Sequence, residues 1–326
     1  MQSAMLPIRN HLDPRRLETV EVLKKLSFAS RALAELKGVS ATIPQPGILI
    51  NTLAMQEAKD SSAIENVITT HDEMFKDDAF PEMNINPAAK EVLRYRQALR
   101  TGFELVRESG LLTANHILAI QQELEQNTAG FRRQSGTTLQ NGTGTVVYTP
   151  PQTHGEILSL MKDLEAVMND PDVLPADPLI RMAIIHHQFE SIHPFYDGNG
   201  RTGRIINVLF LVKEGLLDIP VLYLSRYIVQ HKNEYYRLLQ SVRDKEEWEQ
   251  WVLFMLNAVE ETARNTVATV NAIKSAMQDY KHRIRENYKF YSQDLINNLF
   301  NHPYTKIGFL ERDLGVLLHR QAELIR

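Results

Sequence analysis

Two apolar helical stretches joined by a glycine-rich loop constrain this chain more than any other feature. Met182, Ile185, Phe189 and Ile192 recur at steps of 3, 4 and 3, which is one face of a helix. Ile205, Val208, Leu209 and Val212 repeat the pattern, and Gly215 ends it. Between them lies Pro194-Phe195-Tyr196-Asp197-Gly198-Asn199-Gly200. Two helices with apolar faces on either side of a short loop must pack against each other and be covered by further elements.

The remaining sequence supplies such elements. Helical spacing predicts helices over about 15–39, 48–68, 88–108, 113–126, 154–169, 225–241 and 246–287. Prolines mark breaks at 44–46, at 170–178 and in an acidic loop over 77–87. Residues 131–151 differ, being rich in Thr, Gly, Val and Tyr. Asn141-Gly142 is a hairpin-turn dipeptide, and Thr145-Val146-Val147-Tyr148 reads as a strand. The expected fold class is mainly α: a helical bundle with one β-hairpin. At 326 residues the chain is long enough for a large core without disulfide or metal staples.

Composition removes several function classes. Lys+Arg is 36 and Asp+Glu is 40, so the net charge of −4 argues against non-specific nucleic-acid binding by overall charge. The chain has no cysteine, which excludes a cysteine nucleophile, a cysteine-zinc site or an iron–sulfur cluster. Met1 to Arg9 lacks the apolar run of a signal peptide, and no stretch reads as a membrane span. The expectation is a cytoplasmic protein without membrane contact.

The loop itself is suited to phosphate chemistry. Gly198 and Gly200 permit positive φ and remove side-chain bulk. Successive N–H groups there, followed by a helix start, form an anion-binding nest. Arg201 and Arg204 lie three apart, near one helix face, as two cations for a polyphosphate. Asp197 is placed to hold Mg²⁺ bridging phosphate oxygens. His193 is placed to take a proton from an attacking hydroxyl. A bare G-x-G between helices is also an ordinary capped turn; here eight positions are specified together.

His193-Pro194-Phe195-Tyr196-Asp197-Gly198-Asn199-Gly200-Arg201-Thr202-Gly203-Arg204 resembles the signature of the Fic family, H-x-F-x-[D/E]-G-N-G-R-x-x-R, at every specified position. The resemblance implies a Fic-type helical bundle with a β-hairpin flap. Its divisions would be an N-terminal helical region (1–87), a catalytic core (88–245) and C-terminal helices (246–326). It implies transfer of AMP from ATP to a Tyr, Ser or Thr hydroxyl of a target protein, and to the chain itself. His193 would then be the base and Asp197 the Mg²⁺ ligand. Gly198, Asn199, Gly200, Arg201, Thr202, Gly203 and Arg204 would form the ATP site, with Phe195 pointing into the core. Of Tyr235-Tyr236, Tyr236 is the one expected on the adenine. The hairpin would lie over the site and hold the target by strand addition.

Ser61-Ser62-Ala63-Ile64-Glu65-Asn66 admits two readings. Ser62-x-x-Glu65 fits a helix N-terminal capping box. Ser61, Glu65 and Asn66 also match the family's inhibitory helix, [S/T]-x-x-x-E-[G/N]. In that reading Glu65 pairs with Arg204 and takes the place of the γ-phosphate, so the chain restrains itself.

Other groups read as structural. His186-His187 lack a matching acidic set for a metal and are expected as plain helix residues; His71-Asp72 invites comparison with metal phosphohydrolases of the His-Asp type, which need further His and Asp ligands. Arg132 and Arg133 at the base of the hairpin are expected to be solvated, with the alternative that one of them structures the hairpin. Residues 292–316 resemble the first part of a winged helix, but Leu317-Leu318 stand where a polar turn is usual, which disfavours a nucleic-acid partner. The resemblance implies a homodimer. Two alternatives stay open: a transferase of another phosphate-linked group or a kinase on the same fold, and a regulatory DNA- or partner-binding module.

Overall fold

The computed structural model describes residues 8, 12–13, 16–74, 86–301 and 305–315. Most of the expected acidic loop, the N-terminal residues 1–7 and Leu317-Leu318 lie outside the described residues. The elements run α1 (Val20–Ser40), α2 (Pro46–Ile64), α3 (Pro87–Ser109), α4 (Ala114–Glu125), β1 (Leu139–Gln140), β2 (Val146–Tyr148), α5 (His154–Asn169), α6 (Pro178–Ile192), α7 (Asn199–Lys213), α8 (Leu224–Gln230), α9 (Lys232–Lys245), α10 (Trp248–Asn287), α11 (Gln293–Asn301) and α12 (Ile307–Leu314). The expected mainly α fold with one hairpin is what forms. No described helix is long and apolar enough to cross a membrane.

The central pair is α6 and α7. Every residue of α6 from Leu179 to Ile192 is buried, so this is a helix covered on all sides rather than on one face. Its polar side chains find partners inside. Arg181 donates to the Val167 carbonyl at 2.7 Å. His186 Nε2 meets Tyr235 Oη at 2.8 Å, and its Nδ1 meets Asn207 Nδ2 at 3.1 Å. His187 Nε2 meets the Leu239 carbonyl at 3.1 Å. Both histidines are therefore helix residues, as expected. Helix α7 also passes close to α3, where a Cβ on Gly102 would lie 2.5 Å from Leu209 Cδ1. Glycine there lets the two helices approach.

Helix starts follow their caps. Thr19, Asn86, Thr113, Thr153 and Asp177 each accept a first-turn N–H with the side chain. Two boundaries differ from the sequence reading. Helix α2 stops at Ile64 instead of about 68, because Asn66 turns left-handed (φ 64°) and the Val67 N–H bonds back to the Ser62 carbonyl. Ser62 and Glu65 thus sit at a helix C-terminus, and the capping-box reading falls. The expected helix over 225–241 is two helices. The backbone leaves helical values at His231 (φ −118°, ψ 31°), whose ring stacks on Tyr227 at 4.1 Å.

The hairpin is antiparallel, with Leu139 opposite Tyr148 and Gln140 opposite Val146. Its turn is longer than a two-residue Asn-Gly turn. The Asn141 side chain accepts the N–H groups of Thr143 and Thr145, and the positive φ falls on Gly144, at 81°. Helix α10 lies along α1, with Lys25 paired to Glu260 at 2.5 Å and Thr19 bonded to Glu249 at 2.6 Å. The C-terminal α11 reaches α2, where Asn51 donates to the Asn301 carbonyl at 3.1 Å.

Candidate active site

Helix α6 ends at Ile192, and His193 follows in the left-handed region (φ 49°), an uncommon conformation for a residue with a Cβ. The chain then turns through 194–198 into α7. Asn199 braces this turn: its Oδ1 accepts the Phe195 N–H at 2.8 Å and its Nδ2 donates to the Phe195 carbonyl at 2.9 Å. The Asn199 side chain is therefore spent on the loop, leaving its N–H for a ligand. Phe195 is fully buried against Phe131 and Phe189. Gly198 takes positive φ (77°), as the sequence suggested. Gly200 does not; a Cβ there would stand 2.3 Å from Glu65 Oε1 and 3.0 Å from an Arg204 nitrogen, so a side chain would crowd the Glu65–Arg204 pair.

The first N–H groups of α7 have no carbonyl one turn before them and face outward as an anion site. Two adjoining cavities meet there, of about 830 Å³ and about 380 Å³. Glu65, His193 and Gly200 line both. Arg204 and Tyr236 line the larger, Asp197 and Arg201 the smaller. Tyr236 is 46% exposed on that wall, whereas Tyr235 is buried on His186.

Arg204 is buried and held through two of its nitrogens. Its Nε donates to Ser61 Oγ at 2.8 Å, and one terminal nitrogen donates to the Ser61 carbonyl at 3.0 Å and to Glu65 Oε1 at 2.8 Å. Burial would raise the Glu65 carboxyl; the Arg204 charge and hydrogen bond outweigh it and hold the group below the usual carboxylate range. Lys232 donates to Asn66 Oδ1 at 3.1 Å, tying the end of α2 to α9. Glu65 and Asn66 thus line the larger cavity, and Ser61 lies buried behind Arg204.

Arg201 behaves differently from Arg204. It is buried between Glu91 of α3 and Glu125 of α4, bonded to both, the latter at 2.9 Å. The two arginines do not form one paired surface: each is held by its own carboxylates on a different side of the α7 start. Thr202 is fully buried, and a Cβ on Gly203 would meet Glu190 Oε1 at 2.8 Å and the Phe189 ring at 3.1 Å. Gly203 faces the α6–α7 packing, and neither residue lines either cavity.

His193 is pushed down to about 4 by burial first, then by the charges of Arg132 and Arg243. The ring is neutral at pH 7. Nδ1 is buried, which leaves Nε2 as the nitrogen facing the cavity. The Asp197 side chain is 80% exposed, accepts the Gly198 N–H at 2.7 Å and lies 3.9 Å from Arg201. Among the described residues no cluster of three acidic or histidine side chains could hold a metal by itself. A single open carboxylate suits a Mg²⁺ that arrives on a nucleotide, with phosphate and water as its other ligands.

The sequence reading missed several residues here. Arg132, expected in solvent, is fully buried and bonds to the carbonyls of Ile192 and His193 at the end of α6. Glu190 lines the larger cavity, 8% exposed, and burial raises its carboxyl to about 7. Arg243 lines the same wall and stacks over Tyr148 at 4.1 Å. Only Glu190, three residues before His193, stood near enough in sequence to be noticed.

Comparison with known proteins gives a consistent picture. Residues 23–104 match the family model described as Fic/DOC family N-terminal, and residues 111–211 match Fic/DOC family. Residues 276–323 match the C-terminal domain of "protein adenylyltransferase SoFic-like". Protein adenylyltransferase fic-1 of Caenorhabditis elegans is 36% identical over 83 residues, which are 26% of this chain and 15% of that one. A probable protein adenylyltransferase of Aquifex aeolicus is 29% identical over 187 residues, 55% of this chain and 54% of that one. The chain spans 15–21% of the first animal relatives it matches. A crystal structure of a Fic family protein from Desulfovibrio desulfuricans superposes with a TM-score of 0.66 at 22% identity, covering 96% of this chain and 89% of that one.

Proposed function

Because the chain belongs to the Fic/DOC family, we propose that it is a protein adenylyltransferase that moves AMP from ATP to a Tyr, Ser or Thr hydroxyl, and that Glu65 restrains it. The observation that carries this is the convergence of His193, the α7 N-terminus and Arg204 on two cavities that share Glu65.

The residues divide the work as follows. The N–H groups of Asn199 and Gly200 receive the α- and β-phosphates at the positive end of α7. Arg204 receives the γ-phosphate once Glu65 has left it. Tyr236 offers its ring to the adenine in the larger cavity. His193 Nε2 takes the target's proton as the hydroxyl oxygen bonds to the α-phosphorus. The bond from that phosphorus to the bridging oxygen breaks on the opposite side, and pyrophosphate leaves with the electron pair. Asp197 would hold a Mg²⁺ brought in on the nucleotide, which would supply neutralisation of phosphate charge. The hairpin presents an open strand edge beside His193 for an extended target segment.

The Glu65 restraint follows from charge and space. A carboxylate 2.8 Å from an Arg204 nitrogen satisfies the cation that a γ-phosphate needs. The test is incorporation of labelled ATP into the chain itself. Glu65→Gly is expected to label at least about tenfold faster than wild type, since one charge-assisted contact is worth roughly 1.5–3 kcal/mol. His193→Ala in the same background should label hardly at all while keeping the wild-type melting profile. Equal labelling by wild type and Glu65→Gly would remove the restraint. Mass spectrometry showing phosphate or another group in place of AMP would replace adenylyl transfer with a different reaction.

A further inference from the structure

The last carbonyls of a helix lack intrahelical donors and carry the negative end of its dipole. At the end of α6 these carbonyls belong to the stretch that presents His193. Arg132 supplies the donors. Its Nε donates to the His193 carbonyl at 2.8 Å, and one terminal nitrogen donates to the Ile192 carbonyl at 3.4 Å and to the Pro151 carbonyl. The backbone repeats the tie: the Arg132 N–H donates to the Pro194 carbonyl at 2.8 Å.

Arg132 is one rung of a longer seam. The Phe131 ring lies 5.2 Å from that of Phe195. Tyr196 Oη accepts the N–H groups of Arg133 at 2.9 Å and Gln134 at 3.4 Å. Residues 131–134 therefore run beside 193–196 in register. The second foot of the hairpin is tied to the same place, with Tyr148 Oη donating to the Ser191 carbonyl at 3.1 Å. A buried guanidinium is retained only where its hydrogen bonds are well met. Here Nε and one terminal nitrogen are met by two segments that must keep a fixed relation, while the other terminal nitrogen is buried without a partner.

We propose that Arg132 is a positioning residue for His193: by binding the carbonyls of Ile192, His193 and Pro151 it fixes the left-handed backbone that presents the imidazole and locks both feet of the hairpin to it. A segment paired with the hairpin and the base that acts on it then move as one body. The kinetic part of this inference rests on the adenylyl-transfer reading; the structural part does not.

The test uses the full chain in the Glu65→Gly background. Arg132→Lys keeps the charge and loses the fork. It is expected to lower kcat about 100-fold, the scale of a displacement of about 1 Å at a reacting group, with KM for ATP changed less than about twofold. The Arg132 amide should lose hydrogen-exchange protection while amides in the middle of α7 keep theirs. An unchanged kcat, a rise in KM alone, or unchanged protection overturns the proposal. If Arg132→Lys does not fold, Tyr196→Phe removes the acceptor of two seam N–H groups at a half-exposed position. It should lower kcat about tenfold at constant KM, and no effect there overturns the proposal. If Glu65→Gly transfers no AMP, the adenylyl-transfer reading fails. The His193 ring NMR signals then decide: a shift on Arg132→Lys supports positioning, and unchanged signals overturn it.

Discussion

At the scale of single residues, the proposed restraint rests on Arg204 and Glu65. Glu65 is held below its ordinary range by the Arg204 charge against the opposing effect of burial. A depressed carboxylate keeps its favourable contact above the unfolded value and loses it only as pH falls through the folded value. The restraint should therefore be insensitive to pH around neutrality. The ratio of Glu65→Gly to wild-type labelling is expected to stay constant from about pH 6 to 8, as initial rates would show. His193, pushed down to about 4 by burial and by Arg132 and Arg243, stays neutral across the same range. A ratio that falls steeply as pH is lowered from 8 to 6 would mean that a neighbour, not Glu65, governs the pairing.

At the scale of elements, α7 is secured at its first turn by Arg201. Its guanidinium joins Glu91 on α3 to Glu125 at the end of α4. Removing one partner from a buried ion pair leaves uncompensated charge and costs about 3–5 kcal/mol. Arg201→Gln is expected to lower unfolding stability by about 3 kcal/mol in urea. A loss of labelling in that variant would then report a displaced helix as well as any lost phosphate contact. Arg204→Gln differs, because Arg204 binds the Ser61 hydroxyl and carbonyl as well as Glu65. Comparing the two melts separates the arginine that holds the elements from the one that holds the restraint.

At the scale of the whole molecule, the core holds a carboxyl that burial raises toward neutrality. Glu190 is raised to about 7 by burial first, with Glu65 adding and Arg204 opposing. Its Oε1 is buried without a hydrogen-bond partner. A raised carboxyl binds its proton in the folded state, so its contribution is present below about pH 4.5 and is lost as pH rises toward 7. Glu190→Gln should remove this slope. Its stability relative to wild type should grow between pH 5 and 8, by no more than about 3 kcal/mol. Thermal melts at both pH values check it, and parallel curves for the two proteins would contradict it.

How much was legible depends on the range over which each interaction acts. The α6–α7 pair, the hairpin and the loop chemistry could be read from sequence because helical period, turn residues and the spacing of His193, Asp197, Gly198 and Arg204 are local patterns. The break at His231 carried no glycine or proline signal, and the end of α2 was set by one left-handed Asn66. Arg132 beside Arg133 looked like solvated charge, since nothing in their neighbours shows that a helix end 60 residues away needs donors. The sequence by itself determined which groups could do the chemistry. Only the tertiary structure decided their state: Glu65 and Arg204 are 139 residues apart and meet because α2 packs against α7. Arg204 is buried and Glu65 is 37% exposed at the cavity edge, so less water screens this pair than would screen two charges on an open surface.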